Sequence, residues 1–399
     1  MSAPIPIRPT AARVDLSVLA ANYRAVREAL GPGVGVIAVV KADAYGHGAV
    51  PVARMLEGLG VRGFGVATVE EGIELRDAGV RAAVLVMGAA FGRDHREVIE
   101  RELTPMVGDP GDVERFASAA RAAGRVRQSI HVKIDTGMSR LGVTEPRFAE
   151  LLAQCASHPS IRVDGLATHF ASADEADPAP TEEQLARFVR CLDQARAMGA
   201  DPQVIHAANS SAALRFPRTR FDLVRPGIVL YGALPSLHLV AHDPGIRPVM
   251  SLGTRVNALR EVPAGTAVSY GGTVILARPS RIATIPVGYA DGYPRALSNR
   301  AQVIVRGRRA PVVGRVCMDL TMIDVTDVPE VEVGDPVTLL GSDGGEAIRP
   351  EELAAWAGTI AYEILCAISK RVPRSYVGEQ PAGAEAAEEL PRPRIRGAR

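Results

Sequence analysis

The sequence predicts an α/β chain, with an N-terminal (β/α)8 barrel followed by a mainly β domain. Between Val34 and about Leu230, eight short apolar runs rich in β-formers alternate with segments of helical spacing. After about Ile246, strands punctuated by Gly and Pro succeed one another with no ten-residue amphipathic helix between them. Polar and basic residues recur where the apolar runs of the first part end, the face on which such barrels place their chemistry.

The eight runs are "VGVIAVV", "GFGVAT", "AVLVM", "TPMV", "SIHVKID", "VDGLATHF", "QVIHA" and "FDLVRPG". Segments such as "VEEGIELRDAG", "GDVERFASAARAAG" and "TEEQLARFVRCLDQARAMG" separate them, with 3.6-residue apolar spacing and a closing Gly of the helix-capping kind. In the second part, "TRVNALREVPAGTAVSY", "RIATIPVGYADGYP", "AQVIVRGRRAPVVGRV" and "DPVTLLG" read as strands, and "RPEELAAWAGTIAYEILCAISKRV" as a closing helical stretch. The barrel is assigned to residues 13–245 and the β domain to 246–378, with residues 1–12 free to join either. Residues 379–399, rich in Ala, Glu, Pro and Arg and without aromatics, read as a disordered tail.

A chain of 399 residues has room for both cores. Lys plus Arg number 46 against 45 Asp plus Glu, so no overall charge attracts a polyanion, and a small-molecule substrate is favoured over nucleic acid. The start "MSAPIPIRPT" lacks a basic segment followed by an apolar one, and the most apolar stretch, Val34 to Val40, is far below a membrane span. Cys155, Cys191, Cys317 and Cys366 form no C-x-x-C pair, which points away from a metal site and toward a reducing, cytoplasmic setting.

The strand ends carry the chemistry. The first ends in Lys41, the fifth carries Lys133 with Arg140 shortly after, and the sixth ends in His169. The seventh leads to Asn209, Ser210 and Ser211, and the eighth to Arg225, Gly227 and Ile228. A lysine at a strand tip, desolvated and near other cations, has its ammonium form disfavoured and offers a nucleophilic amine for a Schiff base. Read alone, Lys41 is more simply a strand-end lysine reaching solvent, and Ser210 a plain helix cap. Together, "ANSSAAL" and "RPGIVLYG" make a cradle for one phosphate. An amine for an aldehyde, a phosphate cradle and an arginine near a ring position point to pyridoxal phosphate. "GPGVG" at 31–35 precedes its strand instead of following it, which is the wrong order for a dinucleotide fingerprint. His131 and His206 read as strand residues satisfied by hydrogen bonds, and His47 as the end of a turn.

From about Arg13 to Val377 the sequence resembles the bacterial alanine racemases, through "VVKADAYGHG", "HVKIDTGMSRLG", "THFASAD", "ANSSAAL", "VRPGIVLYG", "VSYGGT", "IPVGYADGYPR" and "GRVCMDLTMIDVT" in family order. The resemblance implies a pyridoxal phosphate enzyme that interconverts L- and D-alanine for peptidoglycan, acting as a homodimer with shared sites. It implies that Lys41 carries the cofactor as an imine and that Tyr270 is the second catalytic base, contributed by the other subunit. It further implies phosphate contacts from Tyr45, Ser210, Gly227, Ile228 and Tyr362. His169 would sit beside the ring system, Arg225 opposite the pyridine nitrogen, and Arg140 at the phenolic oxygen, assisting substrate binding. Met318 would offer its backbone to the substrate carboxylate across the dimer, Tyr289 and Arg295 would line the entrance corridor, and Lys133 would be carbamylated.

Racemisation needs a proton removed from one face of a planar carbanion and another delivered to the opposite face, so two bases suffice: Lys41 for the D-enantiomer and Tyr270 for the L-enantiomer. A guanidinium only donates, so Arg225 would leave the facing nitrogen unprotonated and the ring a weaker electron sink. The alternatives are a decarboxylase of the same barrel type, a racemase of serine or broader range, and a protein that binds the cofactor without turnover. The β domain with Tyr270 and Met318 argues against the last.

Overall fold

Eight parallel strands close into a barrel in the structure, a computed structural model that describes residues 7–90 and 94–378. They are Gly35–Val39, Gly63–Val66, Ala83–Val86, Thr104–Val107, Gln128–Asp135, Ile161–Ala167, Val204–His206 and Leu223–Val224, matching the eight apolar runs one for one. The ring closes where Met106 pairs with His131 and Val107 with Val132. Every residue of the first two strands is buried, as strands covered on both faces must be. Side chains alternate: Ile37, Leu85, Met106, Ala167 and Leu223 form a cluster of their own inside the barrel. Val36, Phe64, Val84, Ile130 and Ile134 belong to the outer core beneath the helices.

Seven strand-to-helix connections follow the expected alternation. The eighth differs, because strand Leu223–Val224 leads into a short 3-10 turn, Ile228–Tyr231, and not into an α-helix. Helix Leu16–Leu30, which precedes the first strand, packs there, with buried Asn22 donating to the carbonyls of Leu230 (3.1 Å) and Arg247 (2.8 Å). One residue thereby ties the barrel's end to the segment that leaves it.

The β domain is built on a sheet in the order Arg308–Pro311, Gln302–Val305, Pro336–Asp343, Met250–Arg255, Ala11–Asp15 and Arg374–Val377. The N-terminal strand lies antiparallel to Met250–Arg255 and parallel to Arg374–Val377. Residues 13–15 therefore pair in the sheet of the second domain, although they precede the barrel in sequence. A three-stranded sheet, Ala258–Val262, Ser280–Ile285 and Thr321–Asp324, and a short ribbon, Ala267–Val268 with Val274–Ile275, complete the domain. The closing helical stretch is two helices, Pro350–Ala357 and Ala361–Ala367. Gly358 turns left-handed between them (φ 73°), and the Thr359 N–H returns to the Ala354 carbonyl (2.9 Å). The disordered tail expected over 379–399 lies outside the described residues. Among those residues, no helix is long and apolar enough to cross a membrane.

Candidate active site

One residue, Val40, separates Lys41 from the end of the first barrel strand, and the chain then does something unusual. Ala42, Asp43, Ala44 and Tyr45 are all left-handed, with φ between 52° and 54°. For residues with a Cβ that conformation costs about 1–2 kcal/mol each, so the turn must be over-determined by its surroundings. The supports are visible. The Ala42 N–H donates to Glu71 Oε1 (2.6 Å), Asp43 Oδ1 accepts from the Ala49 N–H (2.7 Å), and the Ala44 N–H returns to the Val40 carbonyl (2.8 Å). His47 Nδ1 lies 3.0 Å from the carbonyls of both Ala44 and Tyr45, closing the turn as expected. Lys41 is thereby held half-buried. Burial, and then Arg140, push its ammonium below the usual lysine range, with Glu71 and Cys366 opposing.

Arg225 stands in the barrel lumen, 3% exposed. Its Nη1 donates to His206 Nδ1 (2.6 Å) and to the His206 carbonyl (3.0 Å), and its Nη2 to the carbonyls of Thr168 (2.6 Å) and Ala207 (3.0 Å). His169 Nδ1 is 3.3 Å from the same Nη2. Because a guanidinium only donates, His206 Nδ1 accepts, and its Nε2 carries the proton toward His131 Nδ1, 2.8 Å away. Burial holds both imidazoles neutral: His206 lies well below its usual range and His131 is pushed down to about 4. Burial lowers Arg225 itself to about 10, so it stays charged at neutral pH.

Lys133, also buried, is pushed down to about 8 by burial first and then by Arg140, Arg225 and Lys41, with Asp135 opposing. Asp135 Oδ1 gathers the N–H groups of Gly137, Met138 and Ser139 (2.9, 2.9 and 3.1 Å), shaping the loop that delivers the exposed Arg140. Lys41, Lys133, Arg140, His169 and Arg225 are thus close enough to influence one another's proton affinity.

Beside them lies a cradle. The cap of helix Ser210–Arg215 is Asn209, whose Oδ1 accepts from the Ala212 N–H (3.0 Å), and not Ser210. Ser210 Oγ is left to accept from the Gly227 N–H (2.9 Å). A Cβ on Gly227 would stand 2.4 Å from the Tyr45 hydroxyl, so only glycine permits that approach. The Tyr45 ring packs between Tyr231 (centroids 4.9 Å) and Tyr362 (5.9 Å). Burial raises both Tyr45 and Tyr362 above the ordinary phenol range, which keeps them neutral donors. Neutral hydroxyls around bare backbone suit a phosphate, and the neighbouring amine and guanidinium suit an aldehyde and a ring nitrogen. The residues present therefore fit pyridoxal phosphate.

The remaining sequence-derived residues sit elsewhere. Tyr270 opens a 3-10 turn after Ser269 (φ 65°), at the tip of the ribbon in the β domain, and is 73% exposed. Met318, Tyr289 and Arg295 are also exposed on β-domain loops. The N–H groups of Tyr289 and Ala290 donate to the carbonyls of Cys317 and Met318 (3.0 Å each), zipping two of those loops together. In one chain these side chains face solvent, outside the buried cluster.

Sequence reasoning missed Glu71, whose other oxygen accepts from the Ala67 N–H (2.7 Å) while it supports the turn after Lys41. The spacing Thr68-x-x-Glu71 is a legible capping box, but its reach to Ala42 is not. It also missed the link from Arg225 through His206 to His131.

Two family models cover most of the chain: "Alanine racemase, N-terminal domain" over residues 14–235 and "Alanine racemase, C-terminal domain" over 249–376. An alanine racemase of Halothermothrix orenii is 46% identical over 371 residues, covering 92% of this chain and 97% of that protein. The solved alanine racemase of a D-cycloserine-producing Streptomyces lavendulae superposes with a TM-score of 0.90 at 39% identity, over 94% of this chain and 98% of its own. That of Bacillus anthracis with bound L-Ala-P does so at 0.88 and 36%, over 95% and 97%. With the barrel, the β domain and their order all shared at such coverage, this chain belongs to the alanine racemase family.

Proposed function

We propose that the chain interconverts L- and D-alanine at a site shared between two copies, with Lys41 from one and Tyr270 from the other transferring protons on opposite faces of the substrate. The observation that carries this reading is the division of the site: a half-buried amine, a buried guanidinium and a phosphate cradle in the barrel, and an exposed phenol on the β domain. Pyridoxal phosphate, once bound, supplies the electron sink that makes the α-proton of an amino acid removable.

The chain's own residues supply the rest. Ser210, Tyr45, Tyr362, Asn209 and the backbone at Gly227 and Ile228 would hold the phosphate. Arg225 would donate to the ring nitrogen and keep a proton from residing there, with His206 fixing the guanidinium from behind and His169 alongside it. Lys41, its ammonium disfavoured, takes or gives a proton at Nζ on one face, and Tyr270 does so at Oη on the other. Arg140 and the backbone of Met318 from the second copy bind the substrate carboxylate, and Tyr289 and Arg295 line its way in. Lys133, with an amine pushed down to about 8, reacts with carbon dioxide: Nζ bonds to carbon, a proton leaves to solvent, and the resulting anion offsets Arg140. The setting is cytoplasmic, and the product D-alanine serves peptidoglycan.

Mixing tests the division directly. Lys41→Ala and Tyr270→Phe proteins are each assayed alone for D-alanine formation from L-alanine, then after subunit exchange. Random pairing leaves one intact site in half of the dimers, so about a quarter of wild-type activity returns. No recovery once exchange is demonstrated would refute sharing. L-serine and L-lysine in parallel reactions report the substrate range.

A further inference from the structure

We propose that Arg8, in the arm before the first strand, is a positioning residue for the alanine site, acting through the buried Asp291 carboxylate. Asp291 ends the 3-10 turn Tyr289–Asp291, and its side chain is fully buried. Its Oδ2 accepts from the Gly288 N–H (3.0 Å), while Oδ1 is met by Arg8 Nη2 and lies 3.6 Å from Arg371 Nε. A carboxylate taken wholly out of water needs such partners, because a buried charge left without its counter-charge keeps the full penalty of its lost hydration. Arg8 stands 283 residues away in sequence from the group it neutralises.

The arm grips the same loop a second time: Thr10 Oγ1 donates to the Pro286 carbonyl (2.5 Å) and lies 2.8 Å from Thr254 Oγ1. From the other side the Ser369 N–H holds the Asp291 carbonyl (3.0 Å), and Arg371 reaches on to Asp319 (2.7 Å). The far edge of loop 286–293 is zipped to Cys317 and Met318, and a Cβ on Gly288 would sit 2.3 and 2.4 Å from those two carbonyl oxygens. Loop 286–293 thus has no slack between the arm and the segment that carries Met318. Loosening Asp291 moves Tyr289 and the Met318 backbone together. The inference rests on the roles proposed above for Tyr289 and Met318.

The test compares wild-type holoenzyme with Arg8→Gln, Arg8→Lys and the double variant Arg8→Gln/Asp291→Asn, which removes the buried charge and guards against misfolding. Hydrogen exchange is read on peptides covering 286–293 and 315–320, and KM and kcat for alanine are read separately. Arg8→Gln is expected to speed exchange in both peptides and raise KM about tenfold, with kcat within about twofold and barrel peptides unchanged. Arg8→Lys should recover most of the loss, and the double variant should keep the raised KM, because the tether is still missing. Unchanged exchange in Arg8→Gln, faster exchange without a change in KM while Tyr289→Ala does raise KM, or full recovery in the double variant would each overturn the proposal. If Tyr289→Ala and Arg8→Gln both leave KM alone while exchange quickens, the clamp exists and the corridor reading is what has failed.

Discussion

The mouth of the barrel and the exposed face of the β domain, assigned above to the two halves of one proposed site, stand under opposite physical conditions. At the mouth, Lys41, Lys133 and Arg225 are buried or half-buried, crowded by one another, and each is shifted from its ordinary proton affinity. On the β face Tyr270 is 73% exposed and Met318 53% exposed, on loops held by backbone bonds. Burial does work at the mouth that water cancels on the other face: it disfavours ammonium, keeps histidines neutral and gives hydrogen bonds their full strength. In the reading proposed above, the β face gains its chemistry when a second copy's cationic barrel mouth covers it.

The largest effect should fall on the buried half. Lys41→Ala is expected to reduce racemisation about a thousandfold or more, read by enantiomer analysis, because in the proposed roles it removes both the nucleophile and one proton-transfer group. Tyr270→Phe should cost about a hundredfold to a thousandfold in rate and yet shift unfolding by no more than about 0.5 kcal/mol, since the side chain is mostly in water. A clear stability loss at Tyr270 would break the contrast between the halves.

Arg225→Met should show the reverse signature, destabilising the chain by about 3–5 kcal/mol in denaturant titration. The carbonyls of Thr168, His206 and Ala207 lose their buried donor together with His206 Nδ1. Glu71→Ala should cost about 1–3 kcal/mol through the N–H groups of Ala42 and Ala67 that it satisfies, with Glu71→Gln retaining part of it. Activity should fall alongside, because the left-handed turn fixes Lys41. The smallest effect is in pH dependence. Between pH about 8 and the unfolded lysine value of about 10.4, unfolded Lys133 keeps a proton that the folded side chain has released. Its contribution makes stability rise with pH across that window when carbon dioxide is excluded, and Lys133→Met should flatten the slope.

Legibility in the sequence followed the range of the interactions. The eight barrel strands could be read because each is a contiguous apolar run, and Lys41, His169 and Arg225 because strand ends mark where side chains emerge. The break at Gly358 was hidden inside a helical pattern that runs through it, and the 3-10 turn after the eighth strand inside a run apolar enough for either form. The cap at Asn209, one residue before the expected Ser210, shows how a single hydrogen bond reassigns a side chain from local support to the cradle. Glu71 and His206 were invisible for another reason: their partners, Ala42 and Arg225, come from different barrel strands or loops.

The sequence by itself determined the order of strands and helices, the division into barrel and β domain, and which reactive side chains stand at strand ends, because periodicity and polarity are written in neighbouring residues. Only the tertiary structure decided which of those side chains lose their water, how Arg225 directs the protons of two histidines, and that an arginine near the start neutralises a carboxylate at 291. Burial and hydrogen-bond partnership arise between segments hundreds of residues apart, and they come into being only when the barrel closes and the terminal strands join the second sheet.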